Sequence, residues 1–292
     1  MTKAKAWILA ARPKTLSASL VPIIATSGLV RGSGYVVHWW IVIFALLASF
    51  CIQIGTNLVN DAMDFKKGAD TEQRQGPIRV TQQGLFTFKQ VMTGAGLFFF
   101  LAACFGIPLV IQGGLPILLI GIVSILMGYA YTSGPMPLAY HGLGDLFVIL
   151  FFGLVAVGGL FFLLTGTYTL AALVVGLQIG FLSTVLIAIN NLRDVKTDVL
   201  VNKKTLAVRL GITGARIWIG FLIFAPFLGG YYWLSIQKWW VYIIPLLSLP
   251  LGLFIAKRIF RTEPGAEYNR YLAMSSAYSL VFSTLLALGF QL

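Results

Sequence analysis

Two short clusters of acidic and amide residues carry the side chains of this sequence that are best suited to chemistry. They are the segment 57–64, which reads NLVNDAMD, and the segment 190–198, which reads NNLRDVKTD. On a helix, each cluster would place one amide and two carboxylates on a single stripe, because its members are three or four residues apart. These candidate metal ligands are Asn57, Asp61, Asp64, Asn190, Asp194 and Asp198. Mg²⁺ prefers such oxygen ligands together with phosphate oxygens, so two facing stripes would hold metal ions against a diphosphate.

Lysines and arginines follow each acidic cluster, where they would complement a bound diphosphate. Those after the first cluster are Lys66, Lys67, Arg74 and Arg79, and those after the second are Lys203, Lys204 and Arg209. Metal ions and basic groups together stabilise a departing diphosphate. The residues that we expect to bind substrate in this way are Asn57, Lys67, Arg74, Asn190, Lys204 and Arg209. A simpler explanation is that both clusters are solvated loops with helix-capping Asn and Asp, but two matching clusters favour the metal site.

The elements that must position these clusters are membrane-spanning helices. The 292 residues are 58% hydrophobic and only 10% charged, whereas a soluble globular domain has about 25% charged residues. Apolar runs long enough to cross about 30 Å of hydrocarbon predict an all-α membrane protein with nine helices in a single transmembrane domain, residues 1–292. The predicted spans are 15–32, 38–58, 89–111, 115–132, 144–165, 169–190, 213–234, 239–258 and 271–291.

The basic residues predict the orientation of these spans. With nine spans, the N-terminus and the connections after spans 2, 4, 6 and 8 share one side, and of the 21 Lys and Arg only Arg31 and Lys238 lie opposite. The positive-inside rule therefore places the N-terminus and both acidic clusters in the cytoplasm and the C-terminus outside, in the inner (plasma) membrane. All acidic residues fall on the same side, and the span interiors are free of charge. A transporter would instead keep ionisable groups near the midplane.

Several longer segments resemble one enzyme family. They are ARPKTL at 11–16, YTSGP at 131–135 running on to YHGLGD at 140–145, and NNLRD at 190–194 running on to KTLAVRLG at 204–211. With the stretch 57–84 they cover about a third of the chain, and they resemble the UbiA superfamily of intramembrane aromatic prenyltransferases, in particular its menaquinone branch. The wider superfamily spaces the acids of its first motif four apart, whereas Asp64 is three after Asp61. That spacing resembles the menaquinone branch and leaves open whether Asp64 or Asp70 completes the ligand set.

The resemblance implies a nine-helix bundle around a central cavity with Asp-rich loops at its cytoplasmic mouth. It also implies transfer of a prenyl chain from a polyprenyl diphosphate to an aromatic ring, with loss of the carboxyl group where the acceptor is 1,4-dihydroxy-2-naphthoate. Mg²⁺ would be the cofactor, membrane lipid would surround the protein, and no nucleic acid is expected as a partner. The residues expected to act in catalysis are Asp61, Asp64, Asp145, Asp194 and Asp198.

Some of these residues have two interpretations. Asp145 is either a helix-start acid favoured by the helix dipole or a group that orients or deprotonates an acceptor hydroxyl, and its resemblance to the family's Gly-Leu-Gly-Asp favours the second. Tyr131 would contact the diphosphate or the acceptor, or be an interface aromatic residue. Arg12 and Lys14 would bind an acceptor carboxylate or, as we favour, anchor the N-terminus.

Other functions also fit the sequence. The acceptor could be 4-hydroxybenzoate or homogentisate, and the donor could be a phytyl diphosphate. A lipid-diphosphate binding protein or flippase would also need a metal-loaded cytoplasmic mouth. A cation transporter is disfavoured because the carboxylates are concentrated at one membrane face.

Overall fold

The computed structural model describes residues 2–69, 76 and 78–292, and the side chains of all of these except Lys14. Within these residues the regular structure is helical and contains no β-strand. The main helices are α1 (Lys3–Ala11), α2 (Ser17–Gly32), α3 (Trp39–Lys66), α4 (Phe88–Ala130), α5 (Gly144–Thr165), α6 (Leu170–Arg193), α7 (Val195–Leu200), α8 (Leu206–Ser235), α9 (Trp239–Arg261) and α10 (Tyr268–Gly289). The predicted all-α class is confirmed.

In the described part of the chain, seven helices are long and apolar enough to cross a membrane, namely α3, α4, α5, α6, α8, α9 and α10. Helix α2 has 16 residues and is shorter than these. Large apolar side chains such as Phe100, Leu115 and Leu247 are about two thirds exposed or more on the outer surface, as lipid-facing side chains would be. The chain is therefore an integral membrane protein.

Helix α4 accounts for two of the predicted spans. Its 43 residues would extend about 65 Å if straight, roughly twice the hydrocarbon thickness. Gly114 interrupts it with φ 65° and ψ −152°, a conformation that side chains with a Cβ rarely adopt. The two halves, 88–113 and 115–130, correspond to the predicted spans 89–111 and 115–132.

Helix α6 is at the centre of the bundle, and two thirds of its apolar stretch is buried. It packs against α2, α5, α8 and α10. At its closest approach to α5, a Cβ on Gly153 would lie 2.4 Å from the Gly176 carbonyl oxygen, so only glycine fits there. Helices α3 and α4 pack mainly on each other, and α1 rests beside them with Trp7 stacked on Phe86 at 4.4 Å between ring centroids. This arrangement leaves a space between the α3–α4 layer and α6.

Candidate active site

A cavity of about 960 Å³ fills the space between α3, α4, α5 and α6. Its wall is apolar over most of its length, with residues such as Ile52, Ile117, Phe151 and Leu160, and becomes polar at one end. That end is lined by the amides and carboxylates Asn57, Asn60, Asn190, Asn191, Asp194 and Asp198 and by the cations Arg12, Arg79, Arg193 and Lys203. The cavity thus joins a charged mouth, which we define as these ten residues, to a long apolar interior.

Asn57 lines this mouth, and its side chain is held there through its amide nitrogen. Its Nδ2 donates to the carbonyl oxygen of Ala11 at 3.0 Å and to Thr15 Oγ1 at 3.1 Å. Both partners belong to the connection between α1 and α2. Because the amide nitrogen is committed to these two partners, Oδ1 is the atom of this amide that can act as a metal ligand.

A buried arginine organises the second acidic cluster. Arg193 is among the largest fully buried side chains. It donates to both carboxylate oxygens of Asp194, at 2.8 and 2.6 Å, and to the amide oxygens of Asn190 at 2.8 Å and Asn269 at 2.7 Å. Helix α6 ends here, and Asp198 lies on the short helix α7, with its backbone N–H bonded to the Asp194 carbonyl at 2.8 Å. Asn190, Asp194 and Asp198, which were predicted to share one stripe of a helix, therefore line the mouth together although the helix is interrupted between them.

The carboxylates of the first cluster point away from the cavity. Asp61 is 2% exposed and accepts hydrogen bonds from the backbone N–H groups of Val80, at 3.1 Å, and Thr81, at 3.0 Å. Asp61 thereby fixes the segment that carries Arg79, whose side chain lines the mouth. Asn57, Asp61 and Asp64 do share the single helix α3, as predicted.

Asp64 joins three connecting segments. Its Oδ2 lies 2.9 Å from Arg79 Nη2 and 3.6 Å from Lys203 Nζ, and its Oδ1 accepts a hydrogen bond from the Tyr140 hydroxyl at 2.8 Å. A carboxylate this deeply buried requires such partners, because an unpaired buried charge is costly. The two cations that contact Asp64 also line the mouth, so the first cluster positions positive charge there.

Three of the basic residues predicted to bind substrate lie outside the cavity wall. Lys67 Nζ donates to the Thr132 carbonyl at 2.8 Å and lies 4.1 Å from the centre of the Tyr140 ring. Desolvation lowers the pKa of Lys67, an effect that Asp64 partly opposes. Lys204 is exposed, and Arg209 donates to the His141 carbonyl at 2.9 Å. The side chains of Lys67 and Arg209 hold the 131–143 connection in place, and Lys204 contacts it through its backbone N–H, which donates to the Tyr140 carbonyl at 3.2 Å. Arg74 and Asp70 lie outside the described residues.

The sequence places Arg79 and Lys203 among the basic residues that would complement a diphosphate, but they are not among the residues expected to bind substrate. Arg79 follows the first cluster just as Arg74 does, and Lys203 is adjacent to Lys204. Nothing in the spacing of Lys203 and Lys204 distinguishes the residue that lines the mouth from the one that does not, since loop geometry decides it. Arg193 belongs to the same motif as Asp194. Its burial beside the amides of Asn190 and Asn269 depends on how helix α6 ends, and the sequence does not give that geometry.

Tyr131 lines the cavity, whereas Asp145 does not. Desolvation, reinforced by Asp145 and then Asp64, raises the pKa of Tyr131, so its hydroxyl stays protonated at neutral pH and can donate a hydrogen bond. Asp145 begins α5 as predicted but is 2% exposed behind the wall, where it accepts hydrogen bonds from Trp218 and Asn191.

The donor atoms at the mouth suit Mg²⁺ that arrives with a phosphate ligand. Among the residues described, no three His, Cys, Asp or Glu side chains lie together closely enough to hold a metal by themselves. The mouth instead offers two carboxylates, on Asp194 and Asp198, and the amide of Asn57. Mg²⁺ is commonly bound by one or two carboxylates together with waters and substrate phosphate oxygens, so this donor set fits the ion.

Comparison with known proteins agrees with this architecture. The model of the UbiA prenyltransferase family matches residues 19–280. A 1,4-dihydroxy-2-naphthoate octaprenyltransferase from Haemophilus influenzae is 32% identical, over 98% of this chain and 96% of that protein. The apo structure of a UbiA homolog from Aeropyrum pernix superposes with a TM-score of 0.72 at 12% identity, over 94% of this chain and 97% of that one.

A second solved structure, a UbiA homolog from Archaeoglobus fulgidus bound to GPP and Mg²⁺, has a TM-score of 0.70 at 17% identity, over 98% of this chain and all of that one. At such identities these two structures establish the fold alone. The family model covers most of the chain, and the Haemophilus relative aligns over nearly its whole length. The chain therefore belongs to the UbiA prenyltransferase family.

Proposed function

We propose that this chain transfers a polyprenyl group from a polyprenyl diphosphate to 1,4-dihydroxy-2-naphthoate, with loss of the carboxyl group, to give demethylmenaquinol in menaquinone biosynthesis. The observation that carries the proposal is the cavity, in which a charged mouth opens directly into an apolar interior. Its volume of about 960 Å³ is at the upper end for small-molecule pockets, as a long prenyl chain requires. The name of the Haemophilus relative supports the choice of acceptor.

The cations at the mouth would bind the diphosphate. Arg79 and Lys203 both contact Asp64 in this structure, and both can exchange that carboxylate for diphosphate oxygens. The exchange would leave Asp64, with Asp61 behind it, as a further candidate ligand beside Asn57, Asn190, Asp194 and Asp198. Mg²⁺, when bound, would neutralise the charge that develops on the leaving diphosphate. The UbiA homolog solved with GPP and Mg²⁺ supports this part of the proposal.

The reaction itself needs a dry cavity more than it needs a nucleophile from the protein. The allylic C–O bond of the donor breaks, and its electron pair goes to the diphosphate. The ring carbon that carries the carboxylate forms the new C–C bond, the carboxylate leaves as CO₂, and the electron pair released restores the aromatic ring. Water would capture the allylic cation, so the apolar wall formed by residues such as Phe147, Phe151 and Leu160 protects it.

We further propose that the chain crosses the membrane nine times, with α2 as the first crossing and the two halves of α4 as separate crossings. The mouth of the cavity would then face the cytoplasm. Lys238 Nζ donates to the Gly32 carbonyl at 3.1 Å, so the two ends that carry Arg31 and Lys238 lie together, at the sparsely charged face. Trp39, Trp40, Trp239 and Trp240 are exposed at the helix ends beside them, as expected of an interfacial aromatic belt. A membrane-impermeant maleimide should label Gln237→Cys, and not Glu263→Cys, in intact cells of a variant lacking Cys51 and Cys104.

The test of the reaction is product analysis by mass spectrometry with purified protein, 1,4-dihydroxy-2-naphthoate, a polyprenyl diphosphate and Mg²⁺. We expect a prenylated, decarboxylated naphthoquinol and an equal amount of pyrophosphate, both abolished by EDTA and strongly reduced by Asp194→Asn. Glu263→Gln is the matched control, because Glu263 is an exposed acid at the protein surface. Intact diphosphate bound without turnover would refute the enzyme and favour a lipid-diphosphate binder.

A further inference from the structure

A carboxylate behind the cavity wall has no part in the reaction described so far. Asp145 is 2% exposed and is not among the residues that line the cavity. Its Oδ2 accepts a hydrogen bond from Trp218 Nε1 at 2.8 Å, and its Oδ1 accepts one from Asn191 Nδ2 at 3.4 Å. Because a ligand in the cavity does not touch Asp145, an effect of this residue on substrate must pass through a neighbour.

Asn191 is the neighbour that reaches the cavity. It lines the mouth and is 8% exposed. Its Nδ2 faces Asp145, and the oxygen of the same planar amide must point elsewhere. In the described part of the chain, Asn191 Oδ1 has no hydrogen-bond partner. It is also not among the fully buried polar atoms that lack a partner, so this oxygen borders open space. The open space beside Asn191 is the cavity, so Oδ1 faces it.

Asp145 and Trp218 together fix this orientation of the amide. The indole N–H of Trp218 can only donate, so it takes up one oxygen of Asp145 and leaves the other for Asn191. Turning the Asn191 amide over would place its oxygen against the Asp145 oxygen and its N–H₂ group in the cavity. Two oxygens facing each other in a dry interior are costly. The Asp145 carboxylate therefore selects which end of the amide a ligand meets.

We propose that Asp145 is a positioning residue that turns Asn191 Oδ1 into the cavity to accept a hydrogen bond from a ring hydroxyl of the aromatic acceptor. The proposal rests on the proposed function, since it requires a hydroxylated aromatic acceptor. A diphosphate offers oxygens that accept hydrogen bonds and would be bound by the cations of the mouth, whereas an amide oxygen that is not a metal ligand requires a hydrogen-bond donor. A hydroxyl of the acceptor supplies that donor. Accepting this hydrogen bond polarises the O–H bond and so makes the ring more electron-rich for attack on the allylic carbon.

The test is a kinetic comparison of Asn191→Ala, Asp145→Asn, the double variant and Trp218→Phe in the purified enzyme. We expect the KM for the acceptor to rise about threefold to tenfold in the first two, as for the loss of one uncharged hydrogen bond. The KM for the polyprenyl diphosphate and the Mg²⁺ concentration at half activity should change less than twofold. The double variant should be no worse than either single variant, since both act through one hydrogen bond.

Trp233→Phe is the matched control. It removes an indole N–H that donates to Gln178 at 3.3 Å in another part of the core, and neither residue lines the cavity. The acceptor KM should not change in this variant. Should Asp145→Asn fail to fold, an acceptor analogue with methylated hydroxyls replaces it. Wild-type protein should bind this analogue severalfold more weakly than the parent compound, and Asn191→Ala should lose most of that preference.

Two results would overturn the inference alone. One is an Asn191→Ala variant that turns over at the wild-type rate, with an unchanged KM for the acceptor and an unchanged preference for the parent acceptor over its methylated analogue. The other is an equal rise in the acceptor KM, the donor KM and the Mg²⁺ requirement, which would indicate a metal-bound water or the metal as the partner of Asn191. Absence of prenylated product from the wild-type protein with any aromatic acceptor would instead overturn the proposed function, and this inference with it.

Discussion

Removal of the Arg193 guanidinium should destabilise the protein and make its stability depend on Mg²⁺. The Arg193 side chain is fully buried and contacts both oxygens of Asp194, whose side chain is 10% exposed. Arg193→Met keeps much of the volume but leaves the Asp194 carboxylate without its cation. Methionine also offers no donor to Asn190 or Asn269, the other two partners of Arg193.

The expected loss of stability follows from this burial. Removing one partner of a buried ion pair costs about 3–5 kcal/mol, because the remaining charge is left uncompensated. At about 2 °C per kcal/mol for a chain of this size, the unfolding temperature should fall by roughly 6–10 °C. Mg²⁺ with pyrophosphate should restore part of it, since a ligand at a hundred times its Kd stabilises the native state by about 2.7 kcal/mol.

The assay is thermal unfolding of the purified protein in detergent, with EDTA or with Mg²⁺ and pyrophosphate. Arg261→Met is the matched control, because Arg261 is exposed and surface substitutions usually change stability by about 0.5 kcal/mol or less. Adding Asp194→Asn to Arg193→Met removes the stranded charge, so the double variant should be more stable than Arg193→Met. An unfolding temperature within about 2 °C of wild type, or a double variant less stable than Arg193→Met, would refute this reasoning.

Three further predictions concern other parts of the chain. Arg79→Gln and Lys203→Gln should each raise the KM for the polyprenyl diphosphate about tenfold or more, whereas Lys204→Gln, at an exposed side chain, should leave it within twofold. Tyr131→Phe should leave the shape of the pH–rate profile unchanged between pH 6 and 9, because the pKa of Tyr131 is raised and its hydroxyl does not titrate in that range. Gly114→Ala should lower stability by about 1–3 kcal/mol, because φ 65° and ψ −152° lie in a region that residues with a Cβ rarely adopt, whereas Gly96→Ala, in a helical position with open space around it, should be neutral or stabilising in the same melts.

The positions of the apolar helices were predictable because hydropathy and length are local properties of the sequence. The predicted spans 15–32 and 144–165 fall on Ser17–Gly32 and Gly144–Thr165, and the interruption between spans 3 and 4 falls at Gly114. Helical spacing likewise placed Asn57, Asp61 and Asp64 together on one helix. Spacing gives the angle between side chains on a helix, but it does not say which loop folds over that face.

The loops decided the rest of the candidate site. The 78–81 segment folds back onto α3 and occupies Asp61 through two backbone N–H groups. No composition or periodicity indicates such a contact, since it depends on a path through segments without a repeating pattern. The same holds for Lys203 and Lys204, adjacent residues of which only Lys203 lines the mouth.

The two acidic clusters look equivalent in sequence, but the structure gives them different tasks. On α3 the helix continues through the cluster, and the carboxylates of Asp61 and Asp64 face connecting segments that they hold in place. On α6 the helix ends at Arg193, and the change of direction at Asp194 lets both Asp194 and Asp198 line the mouth. The first cluster thus holds the cations Arg79 and Lys203 at the mouth, and the second contributes two carboxylates together with Arg193. A diphosphate with its metal needs both kinds of charge, and the different folding of the two clusters brings cations and carboxylates to the same mouth.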